Sequence, residues 1–314
     1  VLVSNPDENA QFARQQSIVA LNLRSAMAAP LFDNERVRGI LYVDTSQGGV
    51  RYEQADLEVL TATANAVAVK LRNIHLESEL STAGEIQRLM MPAQPRVEGY
   101  DIAARCVPAR GVGGDFYDFI TTPEGNFVLA VADVSGKGLP AALLMANVHA
   151  TVRAQTAAGG SVKKRIDRAN KLVHDTTSVE SFVTLFYAEL DAGRHELAYC
   201  NAGHEHPFLF RADGGVERLH TAGIPMGVAP NFEYKDGVTT LNPGDVLVVF
   251  SDGVTDSTNN ALDCFGTERL ERVVREHLSR GADAVAQAVI DAVEAHSQGD
   301  LQFDDLTMLV LRRL

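Results

Sequence analysis

Three cysteines are all the chain has, and Cys106, Cys200 and Cys264 stand far apart, odd in number and without CxxC spacing. That pattern excludes a disulfide framework and a cysteine-built zinc site, and a reducing, cytoplasmic setting is expected. Basic residues are also in short supply: 28 Lys and Arg face 41 Asp and Glu, a formal net charge of −13 with a pI near 5.1. No clustered Lys and Arg stand ready to neutralise phosphates, so neither nucleic acid nor an anionic membrane surface is an expected partner. No apolar run approaches the roughly 20 residues that span a bilayer, and the N-terminus lacks the basic-then-apolar order of a signal peptide. The chain opens on Val1 in place of Met, so it is read as a piece that a longer protein can extend. What it does have is 314 residues and 46% hydrophobic content, enough to pack two modest domains.

Residues 25–46, SAMAAPLFDNERVRGILYVDTS, read as two apolar strands around the polar turn DNER. A long helix follows. Leu57, Leu60, Ala64, Val67, Leu71 and Ile74 alternate spacings of three and four, a heptad seam that predicts pairing with a second helix and hence a homodimer, the alternative being a terminal helix packed on its own domain, which would tolerate a looser stripe. The seam then breaks at Ser78 and Ser81, while apolar residues resume on a shifted face at Leu76, Leu80, Ala83 and Ile86, with Gly84 inside the shift. A helix of that kind has more than one packing open to it, which marks residues 76–92 as a transmitting linker closed by Pro92 and Pro95. From Tyr100 onward, short β-like runs carry internal turns at TPEGN, DAGRH and ADGG, the signature of antiparallel hairpins. Residues 139–158 and 161–177 read as helices, and 266–296 as two helices split around Gly281. Strands segregated from helices in this way predict an α+β domain with its sheets covered by helices.

Aspartates recur at the ends of the apolar strands. GVGGDFYDF carries Asp115 and Asp118, LAVADVSGKG carries Asp133, LVVFSDGVTDS carries Asp252 and Asp256, and QFDDLTMLV carries Asp304 and Asp305. Each alone is ordinary turn composition, and the glycines beside them permit close backbone approach. Together, converging carboxylates would repel one another and need a cation to compensate them. Oxygen ligands without Cys or clustered His select Mg²⁺ or Mn²⁺ over Zn²⁺. Two such ions about 4 Å apart can activate a bridging water and neutralise a phosphate in line with it, which predicts phosphoryl hydrolysis without a side-chain nucleophile. A Walker loop is absent, since GVGGDF lacks GxxxxGK[ST].

The ordered segments PARGVGGDFYDF, VADVSGKGLPAALLMA, NAGHEHP, GIPMGV, FSDGVTDS and DDLTMLVLR resemble the SpoIIE/RsbU branch of the metal-dependent protein phosphatases, the type 2C or PPM family, over roughly residues 80–314. The resemblance implies an α-β-β-α sandwich of two antiparallel sheets flanked by helices, and removal of phosphate from phosphoserine or phosphothreonine on a partner protein. It makes Asp133 the carboxylate bridging both metals, with the Val134 carbonyl as a further ligand. It makes Asp115 a ligand of the second metal, Asp252 a ligand of the first, and Asp304 the ligand of the C-terminal pair, with Asp305 beside it as a further metal-binding residue. The roles of Arg110, Asp118, His204 and Asp256 stay open: Asp118 and Asp256 could reach metal-bound water or serve a strand and a turn. His204 and His206 could act as acids, or could hold a strand-turn element.

The N-terminal segments SAMAAPLF, VRGILYVDTS and YEQADLEVLTATANAVAVKLRNIHLESEL resemble the last hairpin and final helix of a GAF domain. The expected organisation is a partial GAF-like sensor and dimerisation module at 1–75, a helical linker at 76–98 and a phosphatase domain at 99–314. The expected substrate is a phosphorylated anti-sigma-factor antagonist, with the sensor module regulating the enzyme through the linker. A non-catalytic scaffold with a degenerate phosphatase domain is the alternative, though a scaffold has no reason to keep four mutually repelling carboxylates. A two-metal nuclease or nucleotide cyclase is a weaker rival, the nuclease disfavoured by the missing basic groove.

Overall fold

Alternation of period two builds the larger part of this molecule, because residues at odd and even positions of each strand bury on opposite faces of a sheet. The computed structural model describes residues 1–3, 24–33, 35–47, 50–178, 180–298, 302 and 304–314. Two compact units divide between Glu79 and Leu80. In the first, strands β1 (Leu2–Val3), β2 (Ser25–Phe32) and β3 (Val37–Thr45) form one antiparallel sheet in that order. The expected hairpin is there, while Asn34 of its DNER turn lies outside the described residues.

Helix α1 (Gln54–Met90) is continuous through the expected register break. The first half of the predicted seam is used inside the unit: Leu60 and Ala64 are buried with Met27 and Ala29 of β2, and Leu57 packs at their edge. Val67, Leu71 and Ile74 remain exposed. The six residues of the seam therefore split between an internal contact and a free stripe, which spacing alone could not reveal.

The second unit holds β4 (Tyr100–Val107), β5 (Phe116–Thr121), β6 (Phe127–Val134), α2 (Leu139–Ala157), α3 (Val162–Thr176), β7 (Val183–Asp191), β8 (Glu196–Ala202), β9 (Phe208–Phe210), β10 (Val216–Arg218), β11 (Asp236–Thr240), β12 (Val246–Phe250), α4 (Asp252–Asp256), α5 (Gly266–His277), α6 (Ala282–Ser297) and β13 (Leu306–Arg313). Two five-stranded antiparallel sheets run in the orders β10-β9-β12-β13-β4 and β11-β8-β7-β6-β5. Leu129 and Val131 of β6 meet Leu247 and Val249 of β12 and Leu309 and Leu311 of β13 in a core between the sheets. The alternate residues Val128, Ala130 and Ala132 of β6 pack outward on α2 and α3, through Met145, Val148, Ile166 and Ala169. On the other side Val246, Val248 and Phe250 of β12 pack on α5 and α6, through Leu270, Val274, Val285 and Val289. This is the α-β-β-α sandwich that the resemblance implied. Gly281, with φ of 96°, makes the expected split before α6.

Candidate active site

The strand alternation that builds the inner core also decides where the aspartates go. Tyr117 and Phe119 of β5 and Leu129 and Val131 of β6 face the space between the sheets. Continuing the same parity, Asp115 just before β5 and Asp133 near the end of β6 fall on that inner face. The register Phe116↔Ala132 brings them opposite each other. On the facing sheet, Phe250 of β12 pairs with Met308 of β13, so Ser251 and Thr307 are next in line. They interlock: Ser251 N donates to the Thr307 carbonyl at 3.0 Å, Thr307 N donates to Ser251 Oγ at 3.0 Å, and Ser251 Oγ donates to the Asp305 carbonyl at 3.2 Å. Those bonds bring Asp252, at the start of α4, beside the Asp304–Asp305 pair. Gly253 makes that approach possible, since a Cβ there would stand 2.1 Å from the Asp305 carbonyl oxygen.

The electrostatics report the convergence. Burial raises the Asp133 carboxyl to about 7, reinforced by the charges of Asp252, Asp304 and Asp305. Burial likewise raises Asp252 to about 6, with Asp304, Asp256 and Glu205 adding to it. Asp115 is raised well above the usual carboxylate range, first by burial and then by Asp133 and Asp305, with the neighbouring Thr307 and Ser251 hydroxyls pulling the other way. Its Oδ2 is buried without a hydrogen-bond partner. Among the described residues, no three Asp, Glu, His or Cys side chains are drawn tightly enough round one point to hold an ion as they stand. The donors nevertheless fit a hard divalent cation in kind: all are oxygens, they repel one another, and one buried oxygen has no donor of its own. The Val134 carbonyl, the expected backbone ligand, faces Gly114, where a Cβ would approach it to 2.7 Å.

Asp305 takes a different place from the one expected beside Asp304. Its Oδ1 accepts from Ala109 N at 2.8 Å, and its Oδ2 accepts from Gly114 N at 2.6 Å and Asp115 N at 3.3 Å. It is a clamp on the loop that carries Asp115. Gly113 is required beside it, because a Cβ there would lie 2.3 Å from Asp305 Oδ2. Asp118 has the opposite strand parity from Asp115 and points to the helix layer, where Arg153 holds it at 2.7 and 2.6 Å and His149 Nε2 stands 3.1 Å away. It is a packing clamp. His204 is buried against Thr184, its Nδ1 at 2.8 Å from the hydroxyl, and burial lowers its pKa to about 4, so the ring stays neutral. His206 stacks edge-on with His220. Asp256 is exposed at the end of α4, near enough to raise Asp252. Arg110 lines a small pocket with Lys137, Gly138, Asp304 and Asp305.

Two participants escaped the sequence reading. Lys137, in the Gly-rich turn after Asp133, pairs with Asp304 at 3.0 Å. Glu205, between the two histidines of NAGHEHP, adds negative charge to Asp252. A charged residue inside each recurrent segment was the available signal, but neither spacing nor composition shows which way such a side chain turns.

The profile of the family described as Stage II sporulation protein E (SpoIIE) matches residues 123–314, and that of the GAF domain matches residues 1–71. Phosphoserine phosphatase RsbU of Bacillus subtilis is 32% identical over 250 residues, covering 77% of this chain and 73% of that protein. This chain belongs to the SpoIIE family. It spans less than two thirds of the other curated relatives it matches most strongly. The SiaA-PP2C domain of Pseudomonas aeruginosa superposes with a TM-score of 0.68 at 22% identity, over 77% of this chain and 98% of that one. RsbX, solved in complex with magnesium, superposes with a TM-score of 0.51 at 19% identity, over 69% of this chain and 96% of that one. As a SpoIIE-family protein with a type 2C phosphatase fold, it is in the enzyme class that its sequence motifs implied, the protein-serine/threonine phosphatases.

Proposed function

We propose that this SpoIIE-family chain hydrolyses phosphoserine or phosphothreonine on a partner protein at the inner edge of the sandwich, using a pair of Mn²⁺ or Mg²⁺ ions. Asp115, Asp133, Asp252 and Asp304, with the Val134 carbonyl, would hold the ions. When bound, such ions supply an activated water and offset the charge developing on the phosphate. The residues themselves orient the site: Asp305 and Gln87 fix the loop that carries Asp115, and the Ser251–Thr307 pair fixes Asp252 beside Asp304. The carrying observation is the buried, hydrogen-bond-free Asp115 Oδ2 beside Asp133, a pair of raised carboxyls with no structural use for their charge.

The partner we propose is a phosphorylated anti-sigma-factor antagonist, the substrate class that the SpoIIE/RsbU resemblance implies. The site is expected in an intracellular protein, and among the described residues no helix is long and apolar enough to cross a membrane. We further propose a homodimer through the exposed Val67, Leu71 and Ile74 stripe of α1, with the GAF-like unit regulating turnover. Gln87 near the end of α1 supports the regulatory part: its Nε2 donates to the Gly113 carbonyl at 2.6 Å, and its Oε1 accepts from Gly113 N at 3.0 Å. A change in helix packing there reaches Asp115 two residues away.

The test is phosphate release from a phosphoseryl antagonist protein with and without Mn²⁺, comparing wild type with Asp133→Asn. Metal-dependent release lost in the variant is expected. Release no faster than the protein-free background, with or without Mn²⁺ and in both proteins, would leave the non-catalytic scaffold as the reading.

A further inference from the structure

Lys137 occupies an unusual place for an ordinary turn lysine. Among the described residues it is the one Lys or Arg paired with a member of the carboxylate cluster, its Nζ 3.0 Å from Asp304 Oδ2. Both side chains are a little under half exposed, so water does not isolate the pair and does not forbid its exchange. The lysine is flanked by Gly136 and Gly138, with φ of 97° and 72°, and among the described residues a Cβ built on either glycine would meet nothing within 4 Å. With Arg110 and Gly138, Lys137 also lines the small pocket whose other walls include Asp304 and Asp305.

The same Asp304 oxygen cannot hold an ammonium and a divalent cation together without pressing two positive centres against each other. An acidic cluster without ions, in turn, is relieved by any cation that can reach it, and Asp252 and Asp133 both feel the Asp304 charge. We infer that Lys137 is an internal, displaceable counter-ion: it neutralises Asp304 when no divalent ion is bound, competes with the ion that Asp252 and Asp304 would hold, and on displacement stays in the pocket it shares with Arg110, where its ammonium is released to face the substrate's phosphate. This rests on the metal-dependent reading above. It assigns Lys137 two partners, one for each state of the site, and makes it a positioning residue for the phosphoryl group.

The experiment is a Mn²⁺ titration of the full chain, following free Mn²⁺ by electron paramagnetic resonance, for wild type, Lys137→Met and Lys137→Arg. Losing a partly exposed ion pair as competitor should tighten the weaker-bound ion about two- to fivefold in Lys137→Met, with Lys137→Arg close to wild type. At saturating Mn²⁺ the KM for the phosphoprotein should rise about tenfold in Lys137→Met with a smaller change in kcat. Equal Mn²⁺ affinity in wild type and Lys137→Met overturns the competition, and an unchanged KM overturns the phosphate contact. A wild-type chain that binds no Mn²⁺ overturns the metal reading itself, an outcome distinct from both. Lys137→Ala provides a second charge-removing variant, with thermal melting to confirm that each variant is folded.

Discussion

Replacing Asp305 by Asn separates a loop clamp from a metal ligand. The carboxylate accepts from three backbone N–H groups, Ala109 on Oδ1 and Gly114 and Asp115 on Oδ2, and it is 8% exposed, so water cannot take over. An asparagine keeps one acceptor oxygen and presents an amide donor on the other side. Oriented to keep Ala109, it loses the short Gly114 bond and the longer Asp115 bond and sets donor against donor. Hydrogen bonds to a charged group contribute about 1.5–3 kcal/mol each, so one strong and one weak bond give a loss of about 2–4 kcal/mol. For a unit of this size that is a fall of roughly 4–16 °C in the melting transition. Thermal and urea unfolding measure the loss, and a Mn²⁺ titration above the resulting midpoint is avoided by working at low temperature. The expected result is a destabilised protein that still takes up both ions, in contrast to Asp304→Asn, which should keep its stability within about 1 kcal/mol and lose one ion. If Asp305→Asn kept wild-type stability and lost an ion, the clamp assignment would fail.

Asp133 and Asp252 have folded-state pKa values of about 7 and about 6, above the ordinary carboxylate value, so the metal-free fold binds protons that the unfolded chain has released and its stability falls as pH rises from about 4 to about 7. Metal-free protein should therefore melt higher at pH 5.5 than at pH 7.5, Mn²⁺ should reverse the difference, and Asp133→Asn should flatten it; a metal-free melting temperature that rises across this window contradicts the burial. Gly84→Ala should gain about 1 kcal/mol in an isolated helix. Here its Cβ would land 2.0 Å from the Gly111 carbonyl oxygen, so the phosphatase unit should instead be destabilised and its turnover altered, and a stabilised enzyme with unchanged kinetics would refute that contact. Asp118→Asn should lower stability by about 1–3 kcal/mol through the lost Arg153 clamp while leaving the number of bound Mn²⁺ ions unchanged, as read by calorimetric titration.

Much of this architecture was legible along the chain because it rests on local rules. TPEGN and DAGRH turn β5 into β6 and β7 into β8, and Gly281 parts the last two helices, since turn chemistry and period-two alternation act over a few residues. Ordered strand-end aspartates pointed to one chemistry because, although each alone is ordinary turn composition, converging carboxylates repel one another and need a cation. Tertiary structure alone decided which carboxylate does what. Asp115 and Asp118 lie three residues apart in one motif, yet strand parity sends the first between the sheets and the second to Arg153. Asp304 and Asp305 are adjacent, yet one meets Lys137 and the other closes on the backbone of a loop 190 residues away in sequence. Likewise Leu60 and Leu71 share a seam, but only the first finds a sheet to cover it. Periodicity determines which face a side chain shares, whereas the groups that meet it across the fold come from distant segments, and no local rule carries their positions.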